Sequence, residues 1–208
     1  PRIDVERPAV GISCVALWDH RPYIRILKEG DSHGLWHTRV NISPSVQRSG
    51  YLMYKEVAPD LIPDPACDVE SDENNMGYNP SISECLQWAG ILSSFDVVVN
   101  VAGTVTMEAL MLGIPVVNIN FSVDNREALR AHYMPGSHWW AVYESSATLT
   151  AHNEHELFGM VRRLVEKKEE ESGLSSVRRK RMTELVNYVM GPADGKAAER
   201  ICNVIEEV

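Results

Sequence analysis

Apolar residues in this chain gather into short runs separated by small and polar residues, and the densest grouping spans residues 95–121. Val97, Val98 and Val99, followed by Asn100 and Val101, are β-branched on both faces of a strand. That pattern predicts a strand buried on both sides, as in a parallel sheet. Ala102, Gly103 and Thr104 then turn the chain. Met107, Ala109, Leu110 and Met111 predict a helix, which Thr104 or Thr106 can cap and Gly113 ends. Pro115 opens the next apolar run, Val116, Val117 and Ile119. Strand, helix and strand form one βαβ unit, for which a right-handed crossover is the rule.

The flanks read as further units of the same kind. Residues 1–8 are expected to be a linker. A strand is predicted over 10–17, a loop over 18–22, a short helix over 23–28, a strand over 35–42 and a helix over about 50–57. Pro59, Pro63 and Pro65, with the acidic tract 68–73, predict a long surface loop over 58–79, holding at most one short strand. Order resumes at Pro80-Ser81-Ile82-Ser83, with Ser83 and Glu84 at a helix start and Leu86, Trp88, Ala89, Ile91 and Leu92 facing a sheet. Residues 123–132 predict a polar helix, 139–142 a short strand and 154–167 an amphipathic helix. Residues 167–181 predict a solvated helix–turn–helix surface, and 196–207 a last helix. The fold expected is α/β: a doubly wound, Rossmann-like parallel sheet with a helical C-terminal tail, forming a single domain over 1–208.

Composition narrows the classes. The chain has 208 residues, 44% hydrophobic and 24% charged, with a formal net charge of −9. That charge argues against a duplex nucleic-acid binder, which needs a basic face. Cys14, Cys67, Cys85 and Cys202 are scattered, with no CxxC or Cys/His cluster, so no zinc or other metal site is expected and reduced cytosolic thiols are the default. No apolar run approaches the roughly 20 residues of a spanning helix. The sequons Asn41-Ile42-Ser43 and Asn120-Phe121-Ser122 carry little weight without secretion. Pro1 in place of Met leads to the expectation of a fragment or a processed chain.

The candidate chemistry lies in the central unit. A strand, a small-residue turn and a helix N-terminus form an arrangement that binds phosphate through bare amides and positive potential. Gly103 removes the Cβ obstacle, and Thr104 and Thr106 can add hydroxyls. Glu108, at i+4 from Thr104, can accept from two vicinal hydroxyls such as those of a ribose. The residues alone equally allow simple capping by the threonines and a helix-dipole role for Glu108. His20, His33 and His37 fall near strand ends or loops; His20 and His132 are the candidates for proton transfer. His132 and Tyr133 follow the loop after the central unit. His138-Trp139-Trp140 could stack a nucleobase, although aromatic strand residues are more often core. The acidic tract Asp68, Glu70, Asp72 and Glu73 reads as solvated loop. No catalytic triad is legible from spacing.

The run 102–109 followed by Leu112-Gly113-Ile114-Pro115-Val116-Val117 resembles the nucleotide-sugar-binding half of GT-B glycosyltransferases. The nearest flavour is the surface-polysaccharide and CDP-glycerol glycerophosphotransferase-like group, with NDP-sugar 2-epimerases as cousins. The segments Leu86-Gln87-Trp88 and 194–201 resemble the helix before the central strand and the final helix of such enzymes. The resemblance implies Gly103, Thr104, Val105 and Thr106 around a diphosphate, Glu108 on the ribose, and His132 near the base or sugar. It implies a nucleotide-sugar substrate, no cofactor, an N-terminal acceptor domain as partner, no nucleic acid, and a cytoplasmic place, at most peripheral to the inner membrane face. Two positions depart from the pattern. Asn100 stands where many retaining members carry a second glutamate, and Ser43-Pro44 stands where a His-Pro dipeptide is common. The 208 residues are expected to hold only one such domain, without the N-terminal one, so the chain alone is expected to bind donor weakly and turn nothing over. An epimerase-like or glycerophosphotransferase-like enzyme and a non-catalytic interaction module remain open alternatives.

Overall fold

A computed structural model describes residues 7–14, 18–43, 45–46, 48–66, 80–101, 103–121, 129, 131, 133–137, 139–167, 174–192 and 194–206, with backbone only at 174, 175, 197, 201 and 204–206. In chain order the elements are β1 (Ala9–Cys14), α1 (Arg21–Ser32), β2 (His37–Ile42), α2 (Arg48–Val57), β3 (Ile62–Pro63), α3 (Ile82–Leu92), β4 (Val97–Asn100), α4 (Val105–Met111), β5 (Val116–Ile119), α5 (Trp140–Glu144), β6 (Leu149–Ala151), α6 (Glu154–Val165), α7 (Leu174–Met190) and α8 (Ala197–Glu206). The strands form one six-stranded sheet in the order β3-β2-β1-β4-β5-β6, and every pairing is parallel. This is a doubly wound, Rossmann-like α/β fold. The chain winds outward through β2 and β3, then returns to the centre at β4 and winds the other way.

The continuous apolar runs are buried on both faces. Val97, Val99, Ile12, Val117 and Ile119 pack with α1, α2 and α6, through residues such as Ile24, Leu27, Tyr54, Leu157 and Val161. Val98 and Val116 face the other way, against Leu92 of α3, Met107 and Leu110 of α4, Val142 of α5, and Met182, Leu185 and Val186 of α7. Two glycines exist to admit an aromatic ring. A Cβ on Gly30 would lie 1.9 Å from Trp36 Cζ2, and one on Gly11 2.3 Å from Phe95 Cδ2. The outer strands are short: β3 has two residues, the second Pro63, and β6 has three.

Several boundaries differ from the pattern-based reading. Helix α1 continues to Ser32, because Gly30 is the seat of the buried Trp36 and so belongs to the packed helix. Helix α3 is capped by Ser81 and not Ser83: Glu84 N donates to Ser81 Oγ at 3.2 Å, and Ser81 N donates back to Glu84 Oε2. Residues 139–142 are not a strand. Trp139 and Val142, three apart, are both buried, and Tyr143 N donates to Trp139 O at 3.1 Å; a helical turn puts both side chains on one side, where a strand would split them. Strand β6 was not anticipated, because its Leu149-Thr150-Ala151 is a short polar-flanked edge. Within the 167–181 stretch, Lys167 closes the turn after α6, its N–H on Leu164 O at 3.1 Å, and the other described residues begin the 17-residue helix α7. Most of the 58–79 loop, most of the 123–132 helix and residues 1–6 lie outside the described residues. No helix among the described residues is long and apolar enough to cross a membrane.

Candidate functional site

In a doubly wound sheet the crevice for a ligand opens at the carboxyl edge, where the strand order reverses. Here that point lies between β1 and β4. Four strands, β1, β2, β4 and β5, carry a polar residue at or next to their carboxyl ends. The register pairs Ser13 with Asn41 and Asn100 with Asn118. It also pairs Ile12 with Val99, so the next residues, Ser13 and Asn100, lie side by side. The four form a buried polar row across the sheet, on the face covered by α4.

That row shapes the bend between β4 and α4. Asn100 Nδ2 donates to Gly103 O at 2.9 Å and to Thr106 Oγ1 at 2.9 Å. Thr106 Oγ1 donates to Asn118 Oδ1 at 3.0 Å, and Asn118 Nδ2 donates to Thr148 Oγ1 at 3.0 Å. Every donor and acceptor along this chain of bonds is consistent, which fixes the orientation of both amides. The bend sits so close to Asn100 that a Cβ on Gly103 would lie 3.0 Å from Nδ2 and 3.1 Å from Oδ1. A side chain there would crowd the Asn100 amide, and glycine lets the backbone pass close to it.

Thr104 occupies the N-cap position of α4, and its side chain makes no capping bond. Among the described residues, the N–H groups of Gly103, Thr104 and Val105 have no acceptor. Thr104 is exposed, and Gly103 and Val105 are partly so. The hydroxyl of Thr106, expected to face a phosphate, is instead fully buried and spent on Asn100 and Asn118. Its N–H closes the turn onto Gly103 O at 3.0 Å. At the other end of the helix Gly113 takes φ +74°, and Ile114 N reaches back to Ala109 O at 2.9 Å, a glycine stop of the expected kind. Glu108, half-buried one turn into α4, accepts from the indole Nε1 of Trp88 on α3 at 2.6 Å. Among the described residues its second oxygen has no donor.

His20 sits at the N-cap of α1, just beyond the carboxyl end of β1, and it is fully buried, not on a surface loop. Its Nδ1 lies 2.9 Å from Trp18 O and 3.1 Å from Tyr54 Oη. A carbonyl can only accept, so Nδ1 carries the proton and Nε2 carries the lone pair. Tyr54 Oη donates to the same Trp18 carbonyl at 2.8 Å. Burial drives the imidazole pKa down to about 4, against the opposing pull of the Trp18 carbonyl and of Asp19. Burial also pushes the Tyr54 phenol well up. Asp19 is held below the usual carboxylate range by its paired bonds with Arg21, at 2.9 and 2.7 Å.

The other histidine candidates stay apart. His37 lies 3.5 Å from Asp31, and the exposed His33 lies 3.8 Å from Glu29. Tyr133 is buried and donates to Ile119 O at 3.1 Å. Trp139 is buried in the second core. His132, His138 and the acidic tract 68–73 lie outside the described residues. The residues that sequence reasoning passed over are Ser13, Asn41 and Asn118. Their signal was present: Val40-Asn41, Val99-Asn100 and Val117-Asn118 repeat one dipeptide near the end of three strands.

No protein-family model matches this chain, and no curated protein matches it. Among solved structures it is similar to the glycosyltransferase SnogD from Streptomyces nogalater, at 11% identity and a TM-score of 0.42. The alignment covers 86% of this chain and 40% of SnogD, so the chain spans well under half of that protein's length. A likeness at that level bears on neither site nor activity, and the class of the molecule, an α/β doubly wound domain, rests on its own sheet order.

Proposed function

We propose that this chain is the donor-binding half of a cytoplasmic glycosyltransferase, acting with an N-terminal domain to pass a sugar from a nucleoside diphosphate to a cell-surface glycan. The observation that carries this reading is the glycine-opened bend at the carboxyl edge of the sheet, whose Gly103, Thr104 and Val105 amides meet no acceptor among the described residues. Such amides, next to a helix start, suit a diphosphate. Thr104 adds an exposed hydroxyl, and Thr106 serves by holding the bend in place. Glu108, oriented by Trp88, offers its second oxygen to ribose hydroxyls. His132 is assigned to the neighbourhood of the base or sugar on the resemblance alone.

The reaction is displacement at the anomeric carbon. A bond forms from an acceptor hydroxyl to that carbon as the bond to the diphosphate oxygen breaks, the hydroxyl's proton leaves to water, and the amides stabilise the charge that develops on the leaving diphosphate. The same bend also serves an epimerase-like or glycerophosphotransferase-like enzyme. A non-catalytic interaction module is supported by a separate observation: α3 leaves Ile82 81% and Leu86 68% exposed, an apolar stripe suited to a protein partner. Calorimetric titration with UDP, CDP and their sugar conjugates tests the donor reading. Binding that weakens on Glu108→Ala supports it, and no heat with any of them up to millimolar overturns it.

A further inference from the structure

A cleft opens on the outer surface between α5 and α7, above the core those helices share. Its volume is about 430 Å³, within the range of about 300–1,000 Å³ usual for small-molecule sites. None of its lining residues belongs to the β4–α4 bend or to α4. One aromatic wall is set in advance. Trp140 packs on Tyr143 with ring centroids 5.6 Å apart, and Tyr143 packs on Tyr133 at 5.5 Å. Tyr133 is itself buried and bonded to the Ile119 carbonyl, so this ladder of rings orients the indole from the sheet outward. On the facing helix Tyr188 is 80% exposed and has no ring partner among the described residues. Arg181, Glu184, Leu185 and Tyr188 follow the spacing that places them on one side of α7, and the buried Leu185 lines the apolar base.

Opposite charges stand in this cleft without joining. Among the described residues the Arg181 guanidinium makes no ion pair or hydrogen bond, although Glu184 follows three residues on and Glu144 lines the facing helix. The Glu144 carboxylate likewise has no donor, and Glu184 meets only Lys180, at 3.9 Å. Two carboxylates disfavour a phosphate or a nucleotide, and the guanidinium disfavours an ammonium ligand. A neutral ligand rich in hydroxyls suits every group at once. It donates to the carboxylates, accepts from the guanidinium, and lays its C–H faces on the negative faces of the two rings.

We infer that the α5–α7 cleft binds a neutral oligosaccharide, separately from the bend assigned to the donor. Trp140 and Tyr188 are its stacking platforms, and Glu144, Glu184 and Arg181 take the hydroxyls. The assignment does not rest on the donor reading. Combined with it, the cleft gives a glycan a hold outside the point of transfer.

The test is calorimetry on the 208-residue chain with maltohexaose, cellohexaose and chitohexaose, with and without saturating UDP. At least one of the three should bind, with an affinity that UDP leaves unchanged. Tyr188 is exposed, so its replacement spares the fold. Tyr188→Ala should weaken binding about tenfold, the worth of one aromatic contact, and Glu144→Ala about three- to tenfold. Tyr188→Phe keeps the ring and should cost less than about twofold. Sugar binding lost in Tyr188→Ala while UDP gives no heat supports the cleft and overturns the donor reading. Affinity unchanged in Tyr188→Ala overturns the cleft, and so does sugar binding abolished by UDP or by Glu108→Ala, which places the sugar at the bend. No heat with any of the three, up to the solubility of each, overturns it as well. A dimer in sedimentation that Tyr188→Ala dissociates, without sugar binding, overturns it in favour of a second copy of the chain.

Discussion

The indole N–H of Trp88 donates to a carboxylate oxygen of Glu108 across 2.6 Å, tying α3 to the first turn of α4. The bond holds one oxygen of Glu108, and the other has no donor among the described residues. A charge-assisted bond of this length orients its acceptor. Trp88→Phe keeps the ring and removes the donor, so the carboxylate loses its fixed direction. Nucleotide affinity is expected to fall about three- to tenfold in Trp88→Phe and by more in Glu108→Ala. Calorimetry reads the affinity, and a melting curve checks that the fold is retained. Equal affinity in Glu108→Ala and the parent chain contradicts the ribose role.

The polar row has its own signature in stability. Thr106→Val is nearly isosteric but strands one hydrogen of Asn100 Nδ2 and Asn118 Oδ1 in the core. The expected loss is about 2 kcal/mol, the cost of buried groups left unpaired. Urea unfolding measures it; a loss below about 0.5 kcal/mol shows that the row contributes little.

His20 makes stability depend on pH. Its pKa falls from 6.5 to about 4 on folding, because burial disfavours the imidazolium. Below 6.5 the unfolded chain takes up a proton that the folded chain refuses until about pH 4, so stability declines as pH drops through that window. The full effect is about 3 kcal/mol. The groups around the ring are the neighbouring Asp19 and the hydroxyl of Tyr54, and Asp19 already offsets part of the shift. Asp19 itself, held low by Arg21, adds a further loss as pH falls through the carboxylate range. Urea unfolding at pH 7 and pH 5 should show a smaller drop in His20→Asn than in the parent chain. Parallel drops in the two proteins refute the assignment.

Glycines separate packing from propensity. Gly30→Ala drives a methyl into the buried ring of Trp36, which is anchored by its Nε1 donating to Leu27 O at 3.0 Å. A loss of about 3 kcal/mol is expected from such overpacking. Gly90 in α3 has no heavy atom within 4 Å of an added Cβ, so Gly90→Ala should raise stability by about 0.5–1 kcal/mol through helix propensity. Melting temperatures that move in opposite directions satisfy both expectations.

The fold was largely legible because its central strands are long in information: Val97 to Val99 and Val116 to Ile119 have no amphipathic alternative, and Gly113-Ile114-Pro115 marks the boundary between helix and strand. Legibility failed where tertiary packing overrode local preference. Trp139 to Val142 carries strand-forming residues, yet burial of both Trp139 and Val142 in one core selects a helical turn. Leu149 to Ala151 is too short to stand out, and it is a strand only because β5 is beside it. At the candidate site, the glycine bend and Glu108 were visible as spacing. The inward turn of Thr106, the burial of His20 and the grip of Trp88 on Glu108 were not, since each depends on a partner on another element.

The brevity of the sheet's margins has a bearing on how copies of this chain coexist at high concentration. A foreign strand docks by borrowing a ladder of unused main-chain groups, and β3 offers two residues, one of them a proline with no N–H. The opposite margin offers three. Among the described residues, so little template at either rim gives extension of the sheet into a fibre little foothold.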